Sequence, residues 1–140
     1  MGCPRVNEFI WPVRVYYEDT DSGGVVYYAN YLKFMERART EWLRSLGFEQ
    51  DRLNEHDGVI FAVRAVEVEY LRPARFNDAL EVSARITRHG GASFTFAQEV
   101  RRGPELLCRG TVKVASLDAA TLRPRPVPTP VRERLSEVIA

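Results

Sequence analysis

The chain has 140 residues, enough for one domain that buries about two-thirds of the surface its unfolded form would expose. With 45% hydrophobic and 28% charged residues it is neither disordered nor fibrous in character. Twenty basic residues against nineteen acidic ones leave a net charge of +1, which gives no global field for nucleic acid or an anionic membrane surface.

No run of about 18 consecutive apolar residues occurs, and Met1 to Ile10 lacks the apolar core of a signal peptide. Cys3 and Cys108 form neither a metal-ligand spacing nor a disulfide framework. These features predict a cytoplasmic protein without an integral membrane segment.

In chain order, Phe9 to Tyr17 alternates aromatic and β-branched residues, with Phe9, Trp11, Val13, Val15 and Tyr17 on one side, and predicts a first strand. An acidic loop follows, Glu18 to Gly24, whose paired glycines allow a tight or left-handed backbone. From Tyr28 to Leu46 the period changes: Tyr31, Met35, Ala38, Trp42 and Leu46 form one face of a helix, with Asn30 as candidate N-cap and Gly47 as stop.

A polar connection, Glu49 to Gly58, leads into four further strands. Val66, Val68 and Tyr70 share a face in the first, and Leu80, Val82, Ala84 and Ile86 in the second. Phe94, Phe96, Gln98 and Val100 mark the third, after a His89-Gly90-Gly91 connector, and Leu106, Cys108, Val112 and Val114 the fourth. His56 and His89 both fall in predicted loops, without a nucleophile partner in sequence.

The tail from Leu122 to Pro130 carries four prolines and predicts an extended surface path, closed by a short helix with Val131, Leu135 and Val138 on one side. The whole is a single α+β domain over 1–140, with residues 118–140 as a proline-rich tail. One helix covers one face of a largely antiparallel five-stranded sheet. Its edges and remaining apolar positions favour pairing with a second copy, as a homodimer or homotetramer.

The acidic loop spends several reactive groups within a few residues of a helix start. The commoner reading of such a flank is a cap that complements the helix dipole. Carboxylates beside unpaired helix N–H donors also suit acyl transfer, because those donors can bind an oxyanion developing on a carbonyl. No phosphate loop, zinc spacing or nucleophile elbow appears, and no cofactor is expected.

The run from Trp11 through Glu18-Asp19-Thr20-Asp21-Ser22-Gly23-Gly24 to Tyr31 closely resembles the signature of the acyl-CoA thioesterases of the bacterial Tol-Pal cluster and of the 4-hydroxybenzoyl-CoA thioesterases. The likeness continues through Glu36 to Glu41, Val68-Glu69-Tyr70 and Pro73-Ala74-Arg75. It implies a hotdog fold, in which a curled antiparallel sheet wraps one long central helix, with active sites at a subunit interface. It also implies Asp21, rather than Asp19, as catalytic carboxylate and the backbone N–H at Tyr28 as the carbonyl-polarising donor. One position departs: the Tol-Pal-associated members carry histidine where this chain has Tyr28, so a histidine proton donor there is not expected.

The resemblance thus implies a thioester hydrolase acting on acyl-CoA or an acyl-carrier-protein thioester. Asp21 would either attack the carbonyl carbon or activate water to do so. Tyr27, Tyr31, Phe34 and Phe61 are candidates for an apolar acyl slot. Arg64, Arg72, Arg75, Arg88 and the Arg101-Arg102 pair are candidates for the coenzyme A phosphates, with Arg64 and Arg88 preferred at predicted strand ends or sheet edges. The rivals are a hydratase or dehydratase of the same fold, disfavoured by a helix without histidine, and a non-catalytic acyl-thioester binding module.

Overall fold

The structure is a computed structural model and describes residues 8–139. Cys3 and most of the N-terminal stretch lie outside the described residues. Five antiparallel strands run β1 (Phe9–Arg14), β2 (Val59–Tyr70), β3 (Ala79–His89), β4 (Ser93–Arg102) and β5 (Glu105–Asp118), side by side in the order β1-β3-β4-β5-β2. Helix α1 (Ala29–Ser45) buries Tyr31, Phe34, Met35, Ala38, Trp42 and Leu43. This is the α+β hotdog architecture expected from the sequence.

The strand alternation transfers directly to burial where a strand lies under the helix. Leu80, Val82, Ala84 and Ile86 on β3 are 1%, 0%, 0% and 0% exposed; the first two pack with Met35 and Ala38 in one cluster, the last two with Trp42 and Leu43 in a second. Burial of side chains this size supplies about 1.5–3 kcal/mol each. Gly47, at φ +98°, takes the left-handed conformation that ends α1, and its N–H donates to the Arg44 carbonyl at 3.0 Å.

Four expectations are corrected. Strand β1 stops at Arg14, three residues before the predicted end, because the Asp19 carboxylate accepts the Tyr16 N–H at 2.8 Å and turns the chain into a 3-10 turn, Tyr17–Asp19. The connection after Phe48 is not plain loop: α2 (Gln50–Arg52) continues as a wide π turn, Leu53–Asp57, pinned by buried Leu53 and stopped at Gly58. His56 therefore lies in a helical turn, and His89 is the last residue of β3. Asn30 does not cap α1 with its side chain; Tyr28 occupies the N-cap position.

The proline-rich tail follows the expected extended surface path, exposed from Leu122 to Pro126, and is also docked through its backbone. The Arg125 N–H donates to Ser116 O at 3.0 Å and the Val127 N–H to Gly91 O at 2.9 Å. Val127 then enters the core with Val131 and Leu135 of the terminal helix α3 (Thr129–Val138), at 1%, 0% and 0% exposure, beneath Trp42, Phe94 and Phe96. Prolines that cannot pair in a ladder still fix an extended path that delivers this helix.

Candidate active site

The acidic loop folds into a tight hairpin against the start of α1. The Asp21 N–H donates to Val25 O at 2.9 Å, the Gly24 N–H to Asp21 O at 3.0 Å, and the Tyr27 N–H to Asp19 O at 3.0 Å. Gly24 sits at φ +80°, which explains the second glycine; at the first, a Cβ would lie 3.2 Å from Asp21 Oδ1, a tight contact that would press on that carboxylate. The Gly23 N–H donates to that same oxygen at 2.8 Å. Asp21 Oδ2 has no hydrogen-bond partner among the described residues, and the residue is exposed.

The three acidic residues are thereby separated by what they bind. Asp19 is a structural cap: its carboxylate holds Tyr16, and its carbonyl accepts from Tyr27 N–H and, at 2.9 Å, from Asn30 Nδ2. Glu18 is exposed on the turn. Asp21 alone combines a fixed orientation with a free oxygen.

Helix α1 begins without a side-chain cap and without an acidic residue in its first turn. The Asn30 N–H donates to Tyr27 O at 2.8 Å and the Tyr31 N–H to Tyr28 O at 3.3 Å, so the N–H groups of Tyr28 and Ala29 have no acceptor among the described residues. Unengaged donors at a helix N-terminus, seven positions after a free carboxylate oxygen, can bind an anion.

The backbone of a single residue fixes this arrangement. The Ala74 N–H donates to the buried Tyr31 hydroxyl at 2.9 Å, and the Ala74 carbonyl accepts from Val26 N–H at 2.8 Å. Ala74 is itself fully buried, and Val25 pairs with Arg75 beside it. Burial pushes the Tyr31 phenol above its ordinary pKa, against the lowering effect of the Ala74 bond.

The segment behind Ala74 is held by Asp78. Its carboxylate accepts from Arg75 N–H at 2.8 Å and from Arg102 Nη1 at 2.7 Å, and its carbonyl accepts from Val15 N–H at 3.0 Å. Partial burial alone would raise the Asp78 carboxyl, but the Arg75 N–H and the Arg102 guanidinium together hold it below the ordinary carboxylate value.

Beside the helix start lies a cleft of about 250 Å³ lined by Val26, Tyr28, Tyr31, Tyr70, Leu71, Arg72 and Pro73. Tyr28 is 59% exposed and meets Tyr27 and Tyr70 with ring centroids 4.8 and 5.9 Å apart. The Tyr27 phenol is raised, chiefly by its hydrogen bond with the Tyr28 side chain, and to a lesser extent by the nearby charge of Asp21.

Of the predicted site residues, the structure gathers Asp21, Tyr27, Tyr28 and Tyr31, the last as buried floor at 3% exposure. Phe34 is core. Phe61, Arg64 and Arg88 are not brought to Asp21 within one chain. Phe61 and Arg64 lie nine and six residues before Tyr70 on β2, about 30 and 20 Å along an extended strand. Arg88 lies nine residues, about 30 Å, from Ala79, the end of β3 that faces the acidic loop.

Arg72 and Arg75 stand closer, the first lining the cleft and paired with Glu105 at 3.2 Å, the second beside Val25. Tyr70 is a cleft residue that the reading of the sequence left as ordinary strand; its inner-face place near the end of β2 was the available signal. Nothing in the sequence marked Ala74 as the anchor.

The thioesterase superfamily model matches residues 23–109. The chain is 44% identical over 126 residues to the acyl-CoA thioesterase YbgC of Haemophilus influenzae, covering 90% of this chain and 93% of that one. It is 48% identical over 121 residues to the acyl-CoA thioester hydrolase YbgC of Escherichia coli, covering 86% and 90%. The structure of a 1,4-dihydroxy-2-naphthoyl-CoA thioesterase from Synechocystis superposes with a TM-score of 0.86 at 22% identity, over 94% of this chain and 97% of that one, a likeness of fold. The chain belongs to the thioesterase superfamily and is a thioester hydrolase.

The Tyr31 hydroxyl is the acceptor for a buried N–H, so Tyr31→Phe leaves that donor without a partner. Urea unfolding is expected to show a loss of about 1–3 kcal/mol. Turnover should fall with it, because the helix start loses its tie to the loop; unchanged stability and turnover would contradict the assignment of Ala74 as anchor.

Proposed function

We propose that this thioesterase hydrolyses acyl-CoA thioesters, with Asp21 as the reacting carboxylate and the Tyr28 backbone N–H as the donor that polarises the thioester carbonyl. The observation that carries this reading is one free carboxylate oxygen on Asp21 and, seven residues further on, N–H groups at the start of α1 without an acceptor among the described residues. As negative charge moves onto the carbonyl oxygen, donors already aimed at it gain energy without reorganising.

Asp21 Oδ2 either attacks the carbonyl carbon, forming a mixed anhydride that water then opens, or takes a proton from the attacking water. In both routes the C–S bond breaks, the thiolate leaves and takes up a proton, and the acid is released. The relatives named for acyl-CoA support coenzyme A as the thiol carrier. Arg72 and Arg75, next to the cleft, would meet its phosphates. A cytoplasmic setting belongs to the same reading: Cys108, the free cysteine among the described residues, is buried and its thiol is pushed up to about 12.

The working unit in this reading is a homodimer joined through β2. That twelve-residue strand is a sheet edge, yet Val63, Val66 and Tyr70 on it are 48%, 41% and 44% exposed, and Leu32 of α1 alongside is 38% exposed. A long apolar edge is a pairing surface. Antiparallel pairing of two β2 strands about a two-fold axis sets the Phe61–Arg64 end of one copy near Tyr70 and Tyr28 of the other. This would return both residues to the site from the partner.

Asp21→Asn should lower thiol release from a panel of acyl-CoA and acyl-carrier-protein thioesters by about 10²- to 10⁴-fold. Its thermal unfolding should match that of the parent, since the residue is exposed; turnover near the parent's would sink the assignment. Release from the carrier-protein thioester alone would replace coenzyme A as the carrier.

Val66→Arg places a charge in the middle of the proposed dimer edge. Sedimentation equilibrium should show the parent as a dimer and this variant as a monomer with much reduced turnover. A variant that sediments like the parent would rule out the β2 interface.

A further inference from the structure

The proposed chemistry leaves one role without a group. When the C–S bond breaks, its electron pair goes to sulfur, and an alkyl thiolate departs far more readily when a proton meets it. Asp21 is the reacting carboxylate in that scheme, so the proton has another source.

The cleft beside the helix start narrows the choice. Among the residues that line it, Tyr28, Tyr31, Tyr70 and Arg72 carry a polar hydrogen on the side chain. A guanidinium does not give up its proton, and Arg72 is already paired with Glu105 at 3.2 Å. The Tyr31 hydroxyl is buried and accepts the Ala74 N–H at 2.9 Å. Tyr70 is a wall, its ring centroid 5.6 Å from that of Tyr31 and 5.9 Å from that of Tyr28. Burial raises the Tyr70 phenol, so it keeps its proton more firmly.

Tyr28 stands apart from these. It is 59% exposed, so its hydroxyl exchanges protons with water. Its ring is held from two sides, tilted on Tyr27 at 4.8 Å and edge to face with Tyr70. The Tyr27 hydroxyl is hydrogen-bonded to the Tyr28 side chain, and that bond keeps the Tyr27 proton on Tyr27. A donor held against the Tyr28 oxygen stabilises the negative charge that forms there when a proton departs.

We infer that the Tyr28 hydroxyl gives its proton to the leaving thiolate, with Tyr27 steadying the phenolate left behind. One residue then serves both sides of the breaking bond: its backbone N–H holds the carbonyl oxygen, and its side chain meets the sulfur. The electron pair of the C–S bond moves to sulfur, and the Tyr28 O–H proton follows it. The water consumed by hydrolysis returns a proton to Tyr28, directly or through Asp21, so the donor ends as it began. Tyr28 stands at the carbonyl by the function proposed above, on which this step rests.

The test compares two esters of one acid: its coenzyme A thioester, and its 4-nitrothiophenyl ester, whose aryl thiolate leaves without being protonated. Tyr28→Phe keeps the backbone N–H and the ring contacts and removes the hydroxyl. Its kcat on the acyl-CoA should fall by about 10²-fold, and by at least about tenfold more than on the aryl ester, with the far-UV spectrum unchanged. Tyr27→Phe should show the same preference to a smaller extent, and Asp21→Asn should lose turnover of both esters alike. A smaller difference between the esters in Tyr28→Phe, as a merely structural role would give, or undiminished turnover of the acyl-CoA would overturn the proposal. A loss in Tyr27→Phe that is equal on the two esters would overturn the part given to Tyr27. Turnover retained in Asp21→Asn beside a selective loss in Tyr28→Phe would overturn the Asp21 assignment and leave the proton donor standing.

Discussion

The site depends on one residue, Ala74, whose N–H is held by the Tyr31 hydroxyl and whose carbonyl holds Val26. Tyr31 belongs to the first turn of α1, and Val26 to the hairpin that carries Asp21. Two hydrogen bonds through a fully buried alanine thus fix the helix start and the acidic loop to a common point. Buried bonds of this kind are expensive to leave unmade, so the two elements keep their relation as a matter of stability as well as of chemistry. Asp78 and Arg102 extend the same restraint to β1 and β4.

A helix start that is pinned this way can leave its first N–H groups without side-chain caps. Capping is worth about 1 kcal/mol, and its omission at Tyr28 is offset by the packing of a helix whose inner face is almost wholly buried. In the proposed reading the thioester carbonyl takes the vacant capping position. Asn30, the residue chemically suited to cap, instead ties the helix to Asp19 O, so the N–H groups stay open. A side-chain imidazole at position 28 is not required by this geometry, since any residue there supplies the backbone donor.

Much of this was legible from pattern alone. Alternation on β3 and the helical face of α1 read correctly because Leu80 to Ile86 and Tyr31 to Trp42 face each other, and burial imposes the period on both. Alternation cannot tell a central strand from an edge: it puts Val66, Val68 and Tyr70 on one face, and Val66 and Tyr70 on that face are 41% and 44% exposed. Asp19 and Asp21 are the same residue type two positions apart; only the family motif separates them in the sequence, and in the structure they differ in what they bind, Asp19 holding the Tyr16 N–H and Asp21 the Gly23 N–H. Arg64 and Arg88 stand out by strand position and Phe61 as an aromatic for the acyl slot, and neither property fixes the end of the sheet or the copy of the chain they serve. The anchor at Ala74 acts through its backbone, to which side-chain patterns are blind.

The most direct measurement is the amide spectrum of uniformly ¹⁵N-labelled protein titrated with an acyl-CoA analogue in which a methylene ketone replaces the thioester, so that the carbonyl is retained and cannot be hydrolysed. The Tyr28 amide proton should move downfield by more than any other backbone amide, and do so in Asp21→Asn as well. A Tyr28 amide that stays in place while a different backbone N–H takes the carbonyl would contradict the account.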